Sequence, residues 1–576
     1  MTFPSPAPTA FSAAMTEPAG VLEADYPVTD CIETPTMAIA PPPIFASGRE
    51  SVLDRKMKKA PPGRWGKFLF AIVLIGGFGY AGTELARDLS HVGHSSSLLP
   101  YVMLGVALLC ALAFEFVNGF HDTANAVATV IYTHSLEPHV AVVWSGIWNF
   151  IGVLTSTGAV AFAIVSLLPV DLILQVGQGT GFAMVFALLI SAILWNLSTW
   201  FLGLPASSSH TLIGSIIGVG LANQFMSAHT GTSGLDWAQA IKVFKSLLLS
   251  PIVGFLYAGL LLLMMKAVIR DQQLYEAPVG DAPPPFWIRC LLILTCTGVS
   301  FFHGSNDGQK GMGLIMLILI GTVPTAYALN HAVGFGQVQD FAMASQEAVN
   351  VFDSHVDPNA VIGDARTELT DYIRSKEFTP NTMLAARQII NDTAHEVLLY
   401  KSLGNIPATD QANIRNDMYV TGEALRLMAK SHVPAFSTAE NKVLTNYSRK
   451  LDGATKFIPT WVKIAVALAL GMGTMIGWKR VVITVGERIG RDHLTYAQGA
   501  AAGIIAMATI GAADVYGLPV STTHVLSSGV AGTMFANKSG LRWITLRNIG
   551  LAWICTLPAA ALLAGGLFWV FRQFVV

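Results

Sequence analysis

Charge is scarce in this sequence of 576 residues: Asp, Glu, Lys and Arg together make up 12%, against about 25% in a soluble protein. With 52% hydrophobic residues, the chain has too little polar surface to form a set of ordinary soluble domains. Cysteine is scarce too. The five (Cys31, Cys110, Cys290, Cys296 and Cys555) are odd in number, lack CxxC spacing, and all but Cys31 lie in or beside apolar runs. They read as small packing residues rather than a disulfide frame or metal site. No GxxxxGKS or GxxxxGKT loop is present, which argues against an ATP-driven pump, and no HExxH supports a metallohydrolase. A net charge of −1 offers nucleic acid no basic surface. The chain does not open with a charged segment followed by an apolar one, so no signal peptide is expected.

Long apolar runs are what it has instead. They fall at 68–84, 98–117, 138–168, 178–203, 210–224, 243–268, 287–302, 311–329, 460–485, 497–518, 524–536 and 548–571. The expected fold is an all-α polytopic membrane protein of about twelve transmembrane segments. Residues 1–66 are read as a disordered tail, since eleven of the 28 prolines lie within the first 65 positions and no apolar periodicity accompanies them. A basic cluster (Arg55, Lys56, Lys58, Lys59, Arg64, Lys67) abuts the first run and favours a cytoplasmic N-terminus. Residues 67–97 read as an additional membrane anchor and loop, 98–269 as a first repeat and 270–286 as a linker. A second repeat comes in two parts, 287–329 and 460–576, parted by a soluble helical insert at 330–459. Within the insert, Thr379 is placed to cap a helix whose first residue is Pro380.

The repeat rests on two pairs of motifs. Glu115–Phe116–Val117–Asn118–Gly119–Phe120–His121–Asp122–Thr123–Ala124–Asn125 is echoed by Ser300–Phe301–Phe302–His303–Gly304–Ser305–Asn306–Asp307–Gly308. Leu204–Pro205–Ala206–Ser207–Ser208–Ser209–His210–Thr211 is echoed by Leu518–Pro519–Val520–Ser521–Thr522–Thr523–His524–Val525. Asp122 and Asp307 stand 185 apart (307 − 122), and Pro205 and Pro519 stand 314 apart (519 − 205). The difference, 129 (314 − 185), is close to the length of the insert. Removing one loop therefore superposes the halves with motif order kept. An inverted repeat with helices broken at the polar motifs is expected, irregular backbone at such depth being tolerated where it lines a cavity.

The residue types point to chemistry. A helix start rich in hydroxyls offers aligned amides and rotatable donors to an oxyanion. Ser207, Ser208, Ser209 and Thr211 from one half, with Ser521, Thr522 and Thr523 from the other, are the expected anion-binding residues; plain capping of two buried helix starts is the blander alternative. The carboxylates Asp122 and Asp307 repel an anion, and Asn125 and Asn306 stand beside them. They suit a hard cation such as sodium, or a proton, since burial raises a carboxyl pKa. A co-transported positive charge would offset the anion's cost, which is the logic of symport. His121, His210, His303 and His524 flank these motifs at paired positions and are expected accessories to proton movement. Lys310 follows Asp307 by three residues, where Asn125 follows Asp122; it is expected to neutralise Asp307 or touch the anion. Glu115 is another buried charge, with no partner evident.

At these residues the sequence resembles the Pit family of inorganic phosphate transporters, in particular its bacterial low-affinity members. The matching stretches run from Asn118 to Thr129, Leu204 to Gly214, His303 to Gly313, Gly471 to Arg480 and Pro519 to Gly532, within a likeness covering roughly 98–573. The resemblance implies an inverted-repeat carrier of phosphate in the cell inner (plasma) membrane, with Asp and Asn serving cation coupling and Ser and Thr serving phosphate. The tail and the run at 68–84 lie outside the family's usual core. Sodium-coupled members usually carry Asn before the first Asp; His121 stands there here, which favours protons, or a neutral metal–phosphate complex as cargo. No cofactor is expected beyond H+ or Na+ as co-substrate, and the chain is not expected to be an enzyme. The expected partners are phosphate, the coupling ion and the bilayer, with room for a homodimer. Competing readings are a sulfate or other tetrahedral-oxyanion permease, a sodium-coupled phosphate symporter, a passive channel and, distantly, a membrane metallohydrolase using Asp122, His121 and Asp307.

Overall fold

The computed structural model describes residues 51, 53, 64–90, 98–165, 167, 179–226, 237–278, 280, 283–357, 360 and 362–574. The expected disordered tail, 1–66, lies outside them except at Ser51, Leu53 and 64–66, and there the expectation fails: Leu53 is fully buried, its amide donating to Glu487 Oε1 at 3.3 Å, and a helix begins at Arg64. Among the described residues there is no strand, only helices and one isolated bridge between Gly490 and Leu541. The first group is α1 (Arg64–Ser90), α2 (Leu99–Asp122), α3 (Ala124–Tyr132), α4 (Pro138–Thr155), α5 (Ala159–Val165), α6 (Gly179–Phe201), α7 (Ser208–Met226) and α8 (Trp237–Val268). Then come α9 (Phe286–Thr322), α10 (Pro324–Tyr327), and the polar helices α11 (Phe335–Asp353), α12 (Ala365–Ser375), α13 (Pro380–Tyr400), α14 (Ala408–Ser431) and α15 (Thr438–Thr455). The chain closes with α16 (Thr460–Thr474), α17 (Lys479–Ile483), α18 (Tyr496–Val515), α19 (Thr522–Ala536) and α20 (Trp543–Arg572).

Among the described residues, eight helices are long and apolar enough to cross a bilayer, or nine if α15 and α16, bent by 74° at their junction, count as one. Helices α7, α16 and α19 are apolar but fall outside the eight, the last two being only 15 residues each. The outward faces fit lipid: Leu248, Leu249, Ile252, Leu256, Leu260 and Leu263 of α8 are all exposed, recurring at the three-to-four spacing of one helical stripe. The chain is a multi-pass membrane protein.

Between its apolar groups, α11 to α15 bury a hydrophobic cluster of their own, with Phe341, Phe352, Tyr372, Ile390 and Tyr447 inside it. Helix α13 begins as its sequence dictates: Thr379 caps it, its hydroxyl accepting from the Thr382 amide at 3.3 Å, and Pro380 occupies the first turn.

The expected breaks at the Asp motifs are not where the helices part. α9 runs unbroken for 37 residues through His303, Asp307 and Lys310. At the first motif only Thr123 interrupts the helix, and it keeps helical dihedrals (φ −54°, ψ −35°). Polar side chains inside these helices find partners on neighbouring helices, so the backbone ladder need not open for them. The backbone opens instead at Leu204–Ser207, between α6 and α7, and at Leu518–Ser521, between α18 and α19. Proline explains this: it has no amide proton and pushes the residue before it out of the helical region. Buried carbonyls of these segments are satisfied from outside. Trp553 Nε1 donates to Pro205 O (2.7 Å), Asn306 Nδ2 to Leu518 O (3.1 Å), Ser246 Oγ to Pro519 O (3.2 Å) and Ser209 Oγ to Val520 O (2.9 Å).

Four helices touch through bare backbone. A Cβ on Gly119 would collide with Leu470 O, and one on Gly473 with Phe116 O, so α2 and α16 lie against each other. Likewise Gly152 faces Phe301 O and Gly304 faces Asn149 O, pressing α4 against α9. Such contacts are the membrane's usual way to pack helices closely.

Candidate functional site

The two hydroxyl segments meet in the interior, and Asp122 sits where they do. Its carboxylate accepts from Ser208 Oγ at 3.0 Å and from Thr523 Oγ1. One donor comes from the start of α7, the other from the start of α19. Asn125, on α3 one turn further along, donates from Nδ2 to Thr523 Oγ1 at 2.8 Å. Its Oδ1 is buried and has no hydrogen-bond partner. His121 lies 3.3 Å from Asp122 through Nδ1 and 3.0 Å from Thr199 Oγ1 through Nε2. Every one of these side chains is buried.

Asp307, on α9, forms the opposite wall. Lys310 Nζ lies 2.6 Å from Asp307 Oδ1 and donates as well to Ser209 Oγ. His303 Nε2 stands 3.6 Å from Asp307 Oδ2, and its Nδ1 pairs with Asn149 Oδ1 at 2.7 Å. One ligand atom each from Asp122, His303 and Asp307 lie within 4.8 Å of one another. Of the four expected coupling residues, Asp122, Asn125 and Asp307 therefore gather in one place, whereas Asn306 turns its amide to the Leu518 carbonyl.

Not every expected anion donor faces that pocket. Ser207 and Ser521 are caps: their hydroxyls accept from the amides of His210 (3.2 Å) and His524 (3.1 Å). Thr211 returns its hydroxyl to Ser207 O at 3.0 Å. The rings of His210 and His524 lie 4.5 Å apart and those of His524 and Trp553 4.1 Å, both pairs tilted; neither histidine is hydrogen-bonded to Asp122 or Asp307. Thr522 Oγ1 is buried with no hydrogen-bond partner.

A family model described as the phosphate transporter family matches residues 118–564, which takes in all of these side chains. The chain belongs to the phosphate transporter family. It is 41% identical over 497 residues to the low-affinity inorganic phosphate transporter PitA of Escherichia coli K12, covering 82% of this chain and 98% of that one. Similarity to PitB of the same strain is 41% over 500 residues, with the same coverage. A probable low-affinity inorganic phosphate transporter of Bacillus subtilis is 27% identical over 81% of this chain and 96% of its own. A solved structure titled as the sodium-dependent phosphate transporter is a distant likeness (18% identity, TM-score 0.45, covering 82% of this chain and 99% of that one) that bears on neither fold nor ion. These relatives are named as transporters rather than enzymes.

One carboxylate bonded to the helix that carries Asp307 escaped the sequence reading. Asp514, near the end of α18, accepts from Ser305 Oγ (2.7 Å) and Gln309 Nε2 (2.8 Å) of α9. It is the one carboxylate of an otherwise apolar helix, half-buried at that helix's end.

Proposed function

We propose that this chain is a secondary active transporter that moves inorganic phosphate across the plasma (inner) membrane with a coupling cation. One observation carries the reading: Asp122 takes the hydroxyl protons of Ser208 and Thr523, one from each half. A carboxylate and a phosphate compete for those same protons. While Asp122 is a bare anion, the hydroxyls are spent on it and a second anion is repelled. Once a cation neutralises Asp122, Ser208 and Thr523 can turn to an oxyanion. Cation and phosphate then favour each other's binding, and linkage makes that coupling reciprocal.

The architecture that goes with this is an inverted repeat of about twelve crossings. The backbone contacts support it. Phe116 and Phe301, and Gly119 and Gly304, share the 185-residue spacing of Asp122 and Asp307; Asn149 and Leu470, and Gly152 and Gly473, share a spacing of 321. Each contact between α2 and α16 thus has its image between α9 and α4. The histidines beside both carboxylates support protons as the coupling ion. The mixed carboxylate–imidazole group of Asp122, His303 and Asp307 favours a second reading, in which a divalent metal travels with the phosphate.

The test is uptake of labelled phosphate by the purified full chain in proteoliposomes, with proton and sodium gradients imposed separately and sulfate as competitor. Gradient-driven phosphate uptake that sulfate leaves unchanged is the expected result. Uptake indifferent to both gradients, or sulfate carried in place of phosphate, would overturn the proposal.

A further inference from the structure

The two Asp motifs correspond in position but not in charge. Three residues beyond Asp122 stands Asn125, and three beyond Asp307 stands Lys310. Lys310 is wholly buried, and its ammonium bridges Asp307 and the Ser209 hydroxyl. Asp122 has no lysine or arginine partner among the described residues; two hydroxyls and His121 contact it, and an atom each of His303 and Asp307 lies within 4.8 Å. Beside it the buried Asn125 Oδ1 is left without a hydrogen-bond partner. An unused amide oxygen next to a carboxylate is what a hard cation seeks. At the other Asp a compact cation is already present, on a tether.

We propose that Lys310 is a built-in counter-ion. Its ammonium fills at Asp307 the place that an exchangeable cation takes at Asp122, so one exchangeable cation, not two, accompanies each phosphate. The inference rests on the reading of this chain as a cation-coupled phosphate transporter. The other ionisable groups nearby do not replace Lys310. Glu115 is buried, with Oε2 accepting from Asn118 at 3.4 Å and Oε1 without a partner, and it adds negative charge. His121 and His303 are cations only when protonated. Asp514 is engaged with Ser305 and Gln309. Because Lys310 also reaches Ser209, the tether keeps a fixed positive charge within the hydroxyl cluster, and this part of the anion's attraction does not depend on an ion gradient.

The experiment measures steady-state phosphate accumulation by the full chain in proteoliposomes, with the membrane potential clamped at zero, as the gradient of the driving ion is varied. For the wild type, a tenfold gradient is expected to give about tenfold accumulation, a logarithmic slope of about one. Lys310→Asn installs the residue found at 125, and its slope is expected to rise to about two, about a hundredfold accumulation for the same gradient. The double variant Asp307→Asn/Lys310→Asn removes both charges and is expected to keep a slope of about one. A wild-type slope of two or more overturns the built-in counter-ion, and so does an unchanged slope in transporting Lys310→Asn. Either result leaves phosphate transport standing, whereas absence of wild-type phosphate uptake overturns the underlying reading. The wild-type slope decides even where the single variant does not insert.

Discussion

Hydroxyls that look alike along the chain do different work once folded. Ser207 ends the backbone of its helix, while Ser208, one residue on, gives its proton to Asp122. Ser208→Ala and Thr523→Ala should each raise the phosphate concentration for half-maximal uptake by about tenfold or more, since hydrogen bonds to charged groups contribute about 1.5–3 kcal/mol. Ser207→Ala should leave that concentration alone and lower the melting temperature of the purified protein, losing about 1 kcal/mol of capping. The reverse pattern would contradict the division of roles. Asp122→Asn keeps the shape and removes the charge for which the hydroxyls and the cation compete; uptake into proteoliposomes should then stop responding to the ion gradient, and a preserved response would contradict the coupling argument. The clusters were legible as a group because hydroxyls beside a buried proline are rare company. Which hydroxyl caps and which donates was not legible, because it turns on the single residue at which the helix begins.

At the level of elements, the sequence told where polar groups enter the membrane better than where helices break. A run of His, Asn and Asp looks like a rupture when only its own helix is considered. Lys310, Gln309 and Asn306 instead find partners across the interface (Ser209, Asp514 and the Leu518 carbonyl), and α9 stays whole. Proline at 205 and 519 was the surer signal, since its effect is local and needs no neighbour. The glycines that seat α4 against α9 recur at the repeat spacings, but their packing role was not readable, because it depends on which helix arrives opposite. Gly304→Val is expected to lower expression and thermal stability sharply, by about 3 kcal/mol or more, since the new side chain meets the Asn149 carbonyl rather than a movable side chain. Gly76→Ala, whose added methyl would meet nothing within 4 Å, is the matched control and should behave as wild type. Equal thermal unfolding profiles for the two would refute the close-contact argument.

For the whole molecule, composition and run length were enough to predict membrane helices and a polar interruption, because burial in lipid leaves so strong a mark on residue choice. The joint between the interruption and the rest was not readable. It is narrow: Asn330 donates from its amide to Ala454 O at 2.9 Å and from its side chain to Gly453 O at 3.1 Å, so the segment leaves and returns at nearly one point. Replacing residues 332–452 by a short Gly/Ser linker should therefore preserve phosphate uptake, since closing so small a gap adds little entropy cost. Loss of uptake by a variant that still inserts would assign the segment an obligatory part in transport. The seams described above have a further bearing on movement. Gly146 also abuts the Gly471 carbonyl, so α2, α16, α4 and α9 form a raft whose planks meet backbone to backbone at their glycines. Planks seated that closely resist rolling past one another, so the alternating opening that the proposed transport requires is expected to carry the raft whole, with the give at the two proline-bearing joints.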